Sequence, residues 1–112
     1  MKSGFWQVEL KESLRECTAF SHPDGQDIWT RVPFGVRNGL PHFQCAINTM
    51  LSQHKLNASI AAFIDDLGNG GEDHLSATAA LGCLLHALDS AHFMVGADKV
   101  WAGYPSMSFL GF

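Results

Sequence analysis

A short apolar run, Ala58 to Ile64, ends abruptly in two adjacent carboxylates, Asp65 and Asp66. The run has the length of a buried strand, and polar breaks bound it. Whatever fold forms must bury this stretch and still deliver two like charges at its end. Neighbouring anions repel each other, and desolvation makes the repulsion worse. Packing rewards no such arrangement, but a bound cation does. Oxygen-only ligands suit Mg²⁺, which keeps several waters and shares its shell with substrate phosphates. Side chains that are neighbours in a regular strand point to opposite faces, so both carboxylates approach one site only at a turn. The segment Gly68-Asn69-Gly70-Gly71, just downstream, reads as turn or irregular chain. Taken alone, the pair also fits a solvated loop or a phospho-acceptor aspartate, and all three readings stand at this point.

The pattern on either side defines the architecture. Phe5 to Leu10 alternates weakly, and Lys11 to Glu16 reads as a loop or short helical turn. Cys17 to Ser21 and Ile28 to Val32 are short β-prone runs around His22-Pro23-Asp24-Gly25-Gln26, where proline presets φ and Asp-Gly favours reversal, a hairpin signal. Pro33-Phe34-Gly35 ends the hairpin, and Asn38-Gly39-Leu40-Pro41 opens a helix. Phe43, Ile47, Met50 and Leu51 then fall on one helical stripe. A second helix carries Ala77, Leu81, Leu84, Leu85 and Leu88 on one face, with Glu72 and Asp73 at its start. Phe93 to Phe112 reads as two strand-like pieces separated by Gly103-Tyr104-Pro105. Hairpin, helix, strand, Asp-Asp, helix, strands is the order of an α+β sheet with helices packed on one face.

Composition narrows the class further. The chain has 112 residues, 46% of them hydrophobic, which is one domain's worth of core and too apolar for intrinsic disorder. No apolar run is long enough to span a membrane, and the start lacks the charged-then-apolar order of a secretory signal. The three cysteines, Cys17, Cys45 and Cys83, are widely spaced and odd in number, so they read as reduced thiols of an intracellular protein. Cys83 and His86 sit one helical turn apart but offer two ligands only, too few for a zinc site. A net charge of −4 gives no basic footprint overall; Lys2, Arg31, Arg37, Lys55 and Lys99 are the cations left for phosphate contacts.

Several motifs then occur in one order. Lys2-Ser3-Gly4-Phe5-Trp6-Gln7, Thr18-Ala19-Phe20, Pro23-Asp24-Gly25, Arg31-Val32-Pro33-Phe34-Gly35-Val36, Asn38, Pro41, Phe43-Gln44, Phe63-Ile64-Asp65-Asp66 and Phe109-Leu110-Gly111 succeed one another along the chain. The series resembles the reverse transcriptase domain of gypsy-type long-terminal-repeat retrotransposons and their retroviral relatives, and it covers essentially the whole sequence. The resemblance implies an RNA-directed DNA polymerase that adds deoxynucleotides to a primer 3′ end by two-metal phosphoryl transfer. It implies a polymerase palm, a ferredoxin-like sheet with two helices on one face, plus part of the fingers: a fingers hairpin at about residues 17–33 and palm for the remainder of 1–112.

Residue by residue, the resemblance makes Asp65 and Asp66 the catalytic metal ligands, for two Mg²⁺ ions with Mn²⁺ as an alternative. Phe5 matches the aromatic gate under the incoming sugar, whose ring excludes a ribose 2′-hydroxyl. Ser3 and Gly4 match backbone that approaches the triphosphate. Phe34 and Gly35 match the loop beside the nascent base pair, Gln44 the helix behind it, and Lys99 a lysine near the leaving pyrophosphate. Phe109, Leu110 and Gly111 match the hairpin that holds the primer end. The implied partners are an RNA or DNA template with its primer, deoxynucleoside triphosphates, and the remaining Pol domains: fingers, thumb, RNase H and integrase. No membrane is among them. The implied location is intracellular, in the cytoplasm or a virus-like particle.

Two departures set further expectations. The family carries a third metal-binding aspartate just before the position of Met1, and upstream fingers and thumb lie outside these residues, so the isolated chain is expected to be inactive. The glycine-rich segment after Asp66 replaces the family's apolar return strand, which puts the hairpin geometry in question. A degenerate, non-catalytic retroelement remnant that keeps the fold or nucleic-acid binding is the alternative. Plainer readings sit beside each assignment: Phe5 and Trp6 as core aromatics, Phe34 as a turn anchor, Lys99 as a solvated lysine, and Phe109 to Gly111 as a strand end.

Overall fold

The structure, a computed structural model, describes Met1 and residues 3–112; Lys2 lies outside the described residues. Along them run α1 (Glu12–Arg15), β1 (Phe20–His22), β2 (Gly25–Asp27), α2 (Gly39–Gln53), β3 (Ile60–Phe63), β4 (Asp66–Asn69) and α3 (His74–Ser90). Short 3-10 segments occupy Gly4–Gln7, Glu16–Thr18 and Ala97–Lys99. The fold is α+β, as read. Its strands pair as two antiparallel hairpins, β1 with β2 and β3 with β4. A two-stranded unit is marginal in water by itself, so the helices must supply the burial that keeps β3–β4 in place.

They do so through the stripe legible in the sequence. Phe43, Ile47, Met50 and Leu51 of α2 are all buried, and they meet Leu56, Ile60 of β3, and Leu84, Ala87 and Leu88 of α3. Each large side chain among them contributes roughly 1.5–3 kcal/mol by leaving water. Pro41 falls in the first turn of α2, where its missing N–H had no intrahelical partner anyway. On α3 the expected leucine face is corrected: Leu85 is 43% exposed, and Ala87 is the buried residue instead. Leu84, Ala87 and Leu88 follow i, i+3, i+4, so they share the face toward α2, whereas Leu85 lies about 100° around the helix from Leu84.

The helix ends are tightly specified. Asp73 caps α3, its carboxylate accepting from the Ser76 N–H at 2.6 Å, while the Asp73 N–H donates to Ser76 Oγ at 3.3 Å. Those bonds hold the Asp73 carboxyl below the usual carboxylate range. At their C-termini α2 and α3 close alike. Leu56 N–H donates to the Leu51 carbonyl and Phe93 N–H to the Leu88 carbonyl, both at 2.8 Å. The intervening Lys55 (φ 56) and His92 (φ 59) take the left-handed conformation that such a cap requires.

Several expected strands take other forms. Phe5–Leu10 is not a continuous strand: Gly4–Gln7 winds into a 3-10 turn, with Trp6 N–H on the Ser3 carbonyl at 3.0 Å. Only the end of the run pairs, through Val32 N–H to Val8 and Leu10 N–H to Thr30 around a Glu9–Arg31 bridge. The β1–β2 hairpin is tighter than its β-prone runs suggest. Phe20, Ser21 and His22 pair with Asp27, Gln26 and Gly25 around Pro23-Asp24, because a two-residue turn fixes the register next to itself. Cys17 and Thr18 fall in a 3-10 turn, and Trp29 N–H is held by Thr18 Oγ1 at 3.0 Å.

The glycine segment is corrected too, since Gly68 and Asn69 complete β4. The reversal lies earlier, at Ile64-Asp65, where Phe63 pairs with Asp66. The tail from Phe93 forms no strand among the described residues; Gly103 (φ 80) and Pro105 interrupt it. Its end folds back on itself, with Leu110 (φ 53) and Gly111 (φ 84) left-handed and Phe109 and Phe112 exchanging backbone bonds at 2.9 and 3.0 Å.

Candidate functional site

The β3–β4 reversal carries Asp65 and Asp66, and it is a strained turn. Ile64 sits at φ 53, a left-handed conformation that β-branched residues rarely adopt. Two contacts hold it. Gln44 of α2 accepts the Ile64 N–H on Oε1 at 2.7 Å, and its Nε2 donates to the Ala62 carbonyl at 3.3 Å and to Asn48 Oδ1 at 2.9 Å. Ile64 and Leu67 also pack their side chains against the core.

Asp65 faces the 3-10 turn at the front of the chain. Gly4 is buried, and a Cβ placed on it would overlap Asp65 Oδ1 and come within 2.8 Å of Phe43 Cζ. Glycine is required there for close approach, not for an unusual φ. The Met1 amino group donates to the Asp65 carbonyl at 2.7 Å, a second tie between the same two segments. Asp65 Oδ1 itself is buried without a hydrogen-bond partner among the described residues. Buried carboxylate oxygens are almost always satisfied, so an orphaned one marks a missing donor or cation. Asp66, first residue of β4, is exposed. Among the described residues no Lys, Arg or His forms an ion pair with either aspartate. The donor set is therefore all oxygen, which fits a hard divalent cation. Those two carboxylates have no third partner: no cluster of three His, Cys, Asp or Glu side chains that could hold a metal occurs among the described residues.

Around this pair the structure gathers some of the expected residues. Ser3 takes a left-handed conformation (φ 48) and opens the turn that contains Gly4. Phe5 stacks at 5.2 Å on buried Phe43 and meets Phe34 edge-on at 5.4 Å. Phe34 is 69% exposed beside Gly35, whose φ of 87 suits glycine alone. Phe109 reaches back to β4: its ring lies 3.1 Å from where a Gly68 Cβ would stand, so strand and terminal turn are in contact. Leu110 and Gly111 are exposed in that turn.

Other expected residues form no ion pair with the two aspartates among the described residues. Lys99 is exposed in its 3-10 turn and makes no ion pair with Asp65 or Asp66 among the described residues. Arg31 is engaged by Glu9 at 3.2 Å and by the Gln7 carbonyl at 3.1 Å. Lys55 lies beyond the end of α2 remote from Gln44, and Arg37 is exposed.

Sequence reasoning missed the tie made by Gln7 as well as the Gln44 bonds to the turn. Gln7 brackets Met94, donating to its carbonyl at 3.1 Å and accepting its N–H at 2.5 Å, which fastens the start of the tail to the front turn. A glutamine that bonds to backbone far along the chain leaves no mark in local pattern.

Comparison with known proteins identifies the family. A family model described as reverse transcriptase (RNA-dependent DNA polymerase) matches residues 1–112. The chain is 32% identical over 112 residues to the Retrovirus-related Pol polyprotein from transposon opus of Drosophila melanogaster, covering all of this chain and 11% of that protein. Against the polyprotein from transposon gypsy of the same organism the identity is 30%, with the same coverage. The enzymatic polyprotein of Cauliflower mosaic virus (strain D/H) is 35% identical over 113 residues, covering 98% of this chain and 16% of that protein. Among solved structures, a foamy viral protease-reverse transcriptase in complex with dsDNA superposes with a TM-score of 0.85 at 25% identity, over all of this chain and 23% of that one. The chain thus spans between a tenth and a sixth of the length of these curated relatives. No helix among the described residues is long and apolar enough to cross a membrane.

Proposed function

Because the chain belongs to the reverse transcriptase (RNA-dependent DNA polymerase) family, we propose that it forms the catalytic palm of an RNA-directed DNA polymerase together with a fingers hairpin at about residues 17–33. The observation that carries this reading is the seating of Asp65, with one orphaned carboxylate oxygen, directly against Gly4 at the entrance to the Phe5–Phe34 aromatic pair. The substrates are deoxynucleoside triphosphates and a primer on an RNA or DNA template.

Asp65 and Asp66 would hold Mg²⁺ or Mn²⁺. Once bound, such ions lower the pKa of the primer 3′-hydroxyl and offset triphosphate charge. The chain's own groups do the positioning, which is most of the catalytic task in phosphoryl transfer. Ser3 and Gly4 present backbone to the phosphates. Phe5, braced by Phe43 behind it and Phe34 beside it, cannot swing aside and so blocks a 2′-hydroxyl. Phe34 and Gly35 flank the nascent pair, and Phe109, laid against β4, holds the primer end together with the exposed Leu110 and Gly111. Lys99, exposed in its 3-10 turn, would meet the leaving pyrophosphate. The exposed aromatic row Phe34, Trp6, Trp29 and Phe20 is apolar surface of the kind that further Pol domains cover. Two carboxylates alone hold cations weakly, so the 112-residue chain by itself turns over little. The protein works in the cytoplasm or in a virus-like particle.

The test is fluorescence anisotropy of a dideoxy-terminated primer–template with the next complementary nucleotide, in Mg²⁺ and then in EDTA. Binding that tightens with Mg²⁺ is the expected result. Tight binding indifferent to Mg²⁺ would overturn the polymerase reading in favour of a non-catalytic remnant. Vigorous primer extension by this chain would refute the claim of low turnover.

A further inference from the structure

We infer that Gln44 is a positioning residue for the metal-binding turn, acting as a one-residue extension of the sheet. Phe63 and Asp66 close the two-residue loop, so they exchange the hairpin's hydrogen bonds and the Ala62 carbonyl points away from β4. A neighbouring parallel strand would take up an edge carbonyl and the N–H two residues on with the N–H and C=O of one of its residues. Here the Gln44 carboxamide does this: Nε2 reaches the Ala62 carbonyl and Oε1 the Ile64 N–H. The Nε2 bond to Asn48 Oδ1, one turn along α2, orients the amide so that its oxygen faces Ile64.

The bonded N–H belongs to the residue with the strained backbone, and Asp65 follows it directly. Strain of this kind persists only where surrounding contacts over-determine it. Gln44 is anchored in turn, because α2 buries Phe43 and Ile47 on either side of it in sequence. The buried helix thereby sets the direction in which the Asp65 carboxylate leaves the turn. Without the amide, Ile64 can relax toward an extended conformation and carry Asp65 off Gly4. This inference rests on the reading of Asp65 and Asp66 as cation ligands.

The experiment uses the full 112-residue chain with Gln44→Met, which keeps side-chain length and removes both polar ends, and Gln44→Glu, which keeps the acceptor for Ile64. Amide hydrogen exchange is read at Ile64, Leu84 and Leu88, and Mn²⁺ affinity by electron paramagnetic resonance of the free ion. In Gln44→Met, exchange at Ile64 should rise about tenfold with Leu84 and Leu88 unchanged. Mn²⁺ affinity should fall about tenfold, as for other groups that orient a metal ligand. Gln44→Glu should restore slow exchange at Ile64. Exchange rising equally at Ile64, Leu84 and Leu88 would reduce Gln44 to a stability residue and overturn the inference. So would unchanged Mn²⁺ affinity in Gln44→Met beside a wild-type chain that binds. A wild-type chain that takes up no Mn²⁺ would overturn the metal reading itself, and this inference with it.

Discussion

Asp65 Oδ1 lies directly over Gly4, so closely that no side chain fits between them. The contact joins the front turn of the chain to the tip of the β3–β4 hairpin, and it gives Gly4 a steric reason to be glycine. A methyl group there also meets Phe43 Cζ, a fully buried and immovable neighbour. Gly4→Ala should therefore destabilise by about 1–3 kcal/mol, the usual range for overpacking. Thermal unfolding checks this. A melting temperature equal to that of the wild type would mean that the two segments do not meet.

Phe109 and Gly68 form a second pair in which one residue makes room for the other. Gly68→Ala should cost about 0.5–1 kcal/mol when Phe109 is present, and nothing or less in a Phe109→Ala background, where alanine is the better strand residue. Urea unfolding of the four chains of this double-mutant cycle measures the coupling. Additive effects would detach the terminal turn from β4.

The Asp73 cap makes a pH-dependent contribution. Its carboxyl is held below the usual range by the Ser76 backbone and side-chain bonds. A group depressed in the folded state stabilises above its unfolded pKa and loses that contribution as pH falls through the folded value. Stability of α3 should thus be level down to about pH 4 and decline below it. Asp73→Asn should flatten that decline, as read by circular dichroism melts across the same range. An unaltered acid profile in Asp73→Asn would assign the pH dependence to other carboxylates.

Lys55 and His92 hold left-handed conformations at the C-termini of α2 and α3, positions that favour glycine. Lys55→Gly and His92→Gly should each raise stability by about 0.5–1 kcal/mol, since relief of left-handed strain exceeds the added chain entropy. Differential scanning calorimetry would show melting temperatures up by about a few degrees. A decrease for either variant would argue that its side chain contributes more than its backbone loses.

Periodicity exposed the parts of the fold that solve a burial problem. The Phe43–Leu51 stripe and a strand ending in two acids follow from which faces must leave water, but the expected full burial of that strand is corrected: in β3 Ile60 is buried while Ala61 and Phe63 are exposed. Periodicity failed where long-range contacts decide local form. Leu85 matches its stripe but faces outward, because the face of α3 that meets the core is the one carrying Leu84, Ala87 and Leu88. The glycines after Asp66 look like a turn, yet Gly68 is a strand residue whose missing side chain admits the Phe109 ring. Neither Schellman cap carries a glycine, so nothing in the sequence marks those ends. At the site, the Asp-Asp pair and its kinship with the front segment were legible from ordered motifs. The Gln44 and Gln7 clamps were not, because each bonds to backbone remote in sequence.

The most direct test of the account is paramagnetic broadening of amide resonances as Mn²⁺ is titrated into the 112-residue chain. Broadening centred on residues 64–67 and on Gly4 and Phe5, abolished by Asp65→Asn, is the predicted result. Broadening centred instead on the acidic segments around Glu12, Asp24 or Asp73, or left unchanged by Asp65→Asn, would contradict it.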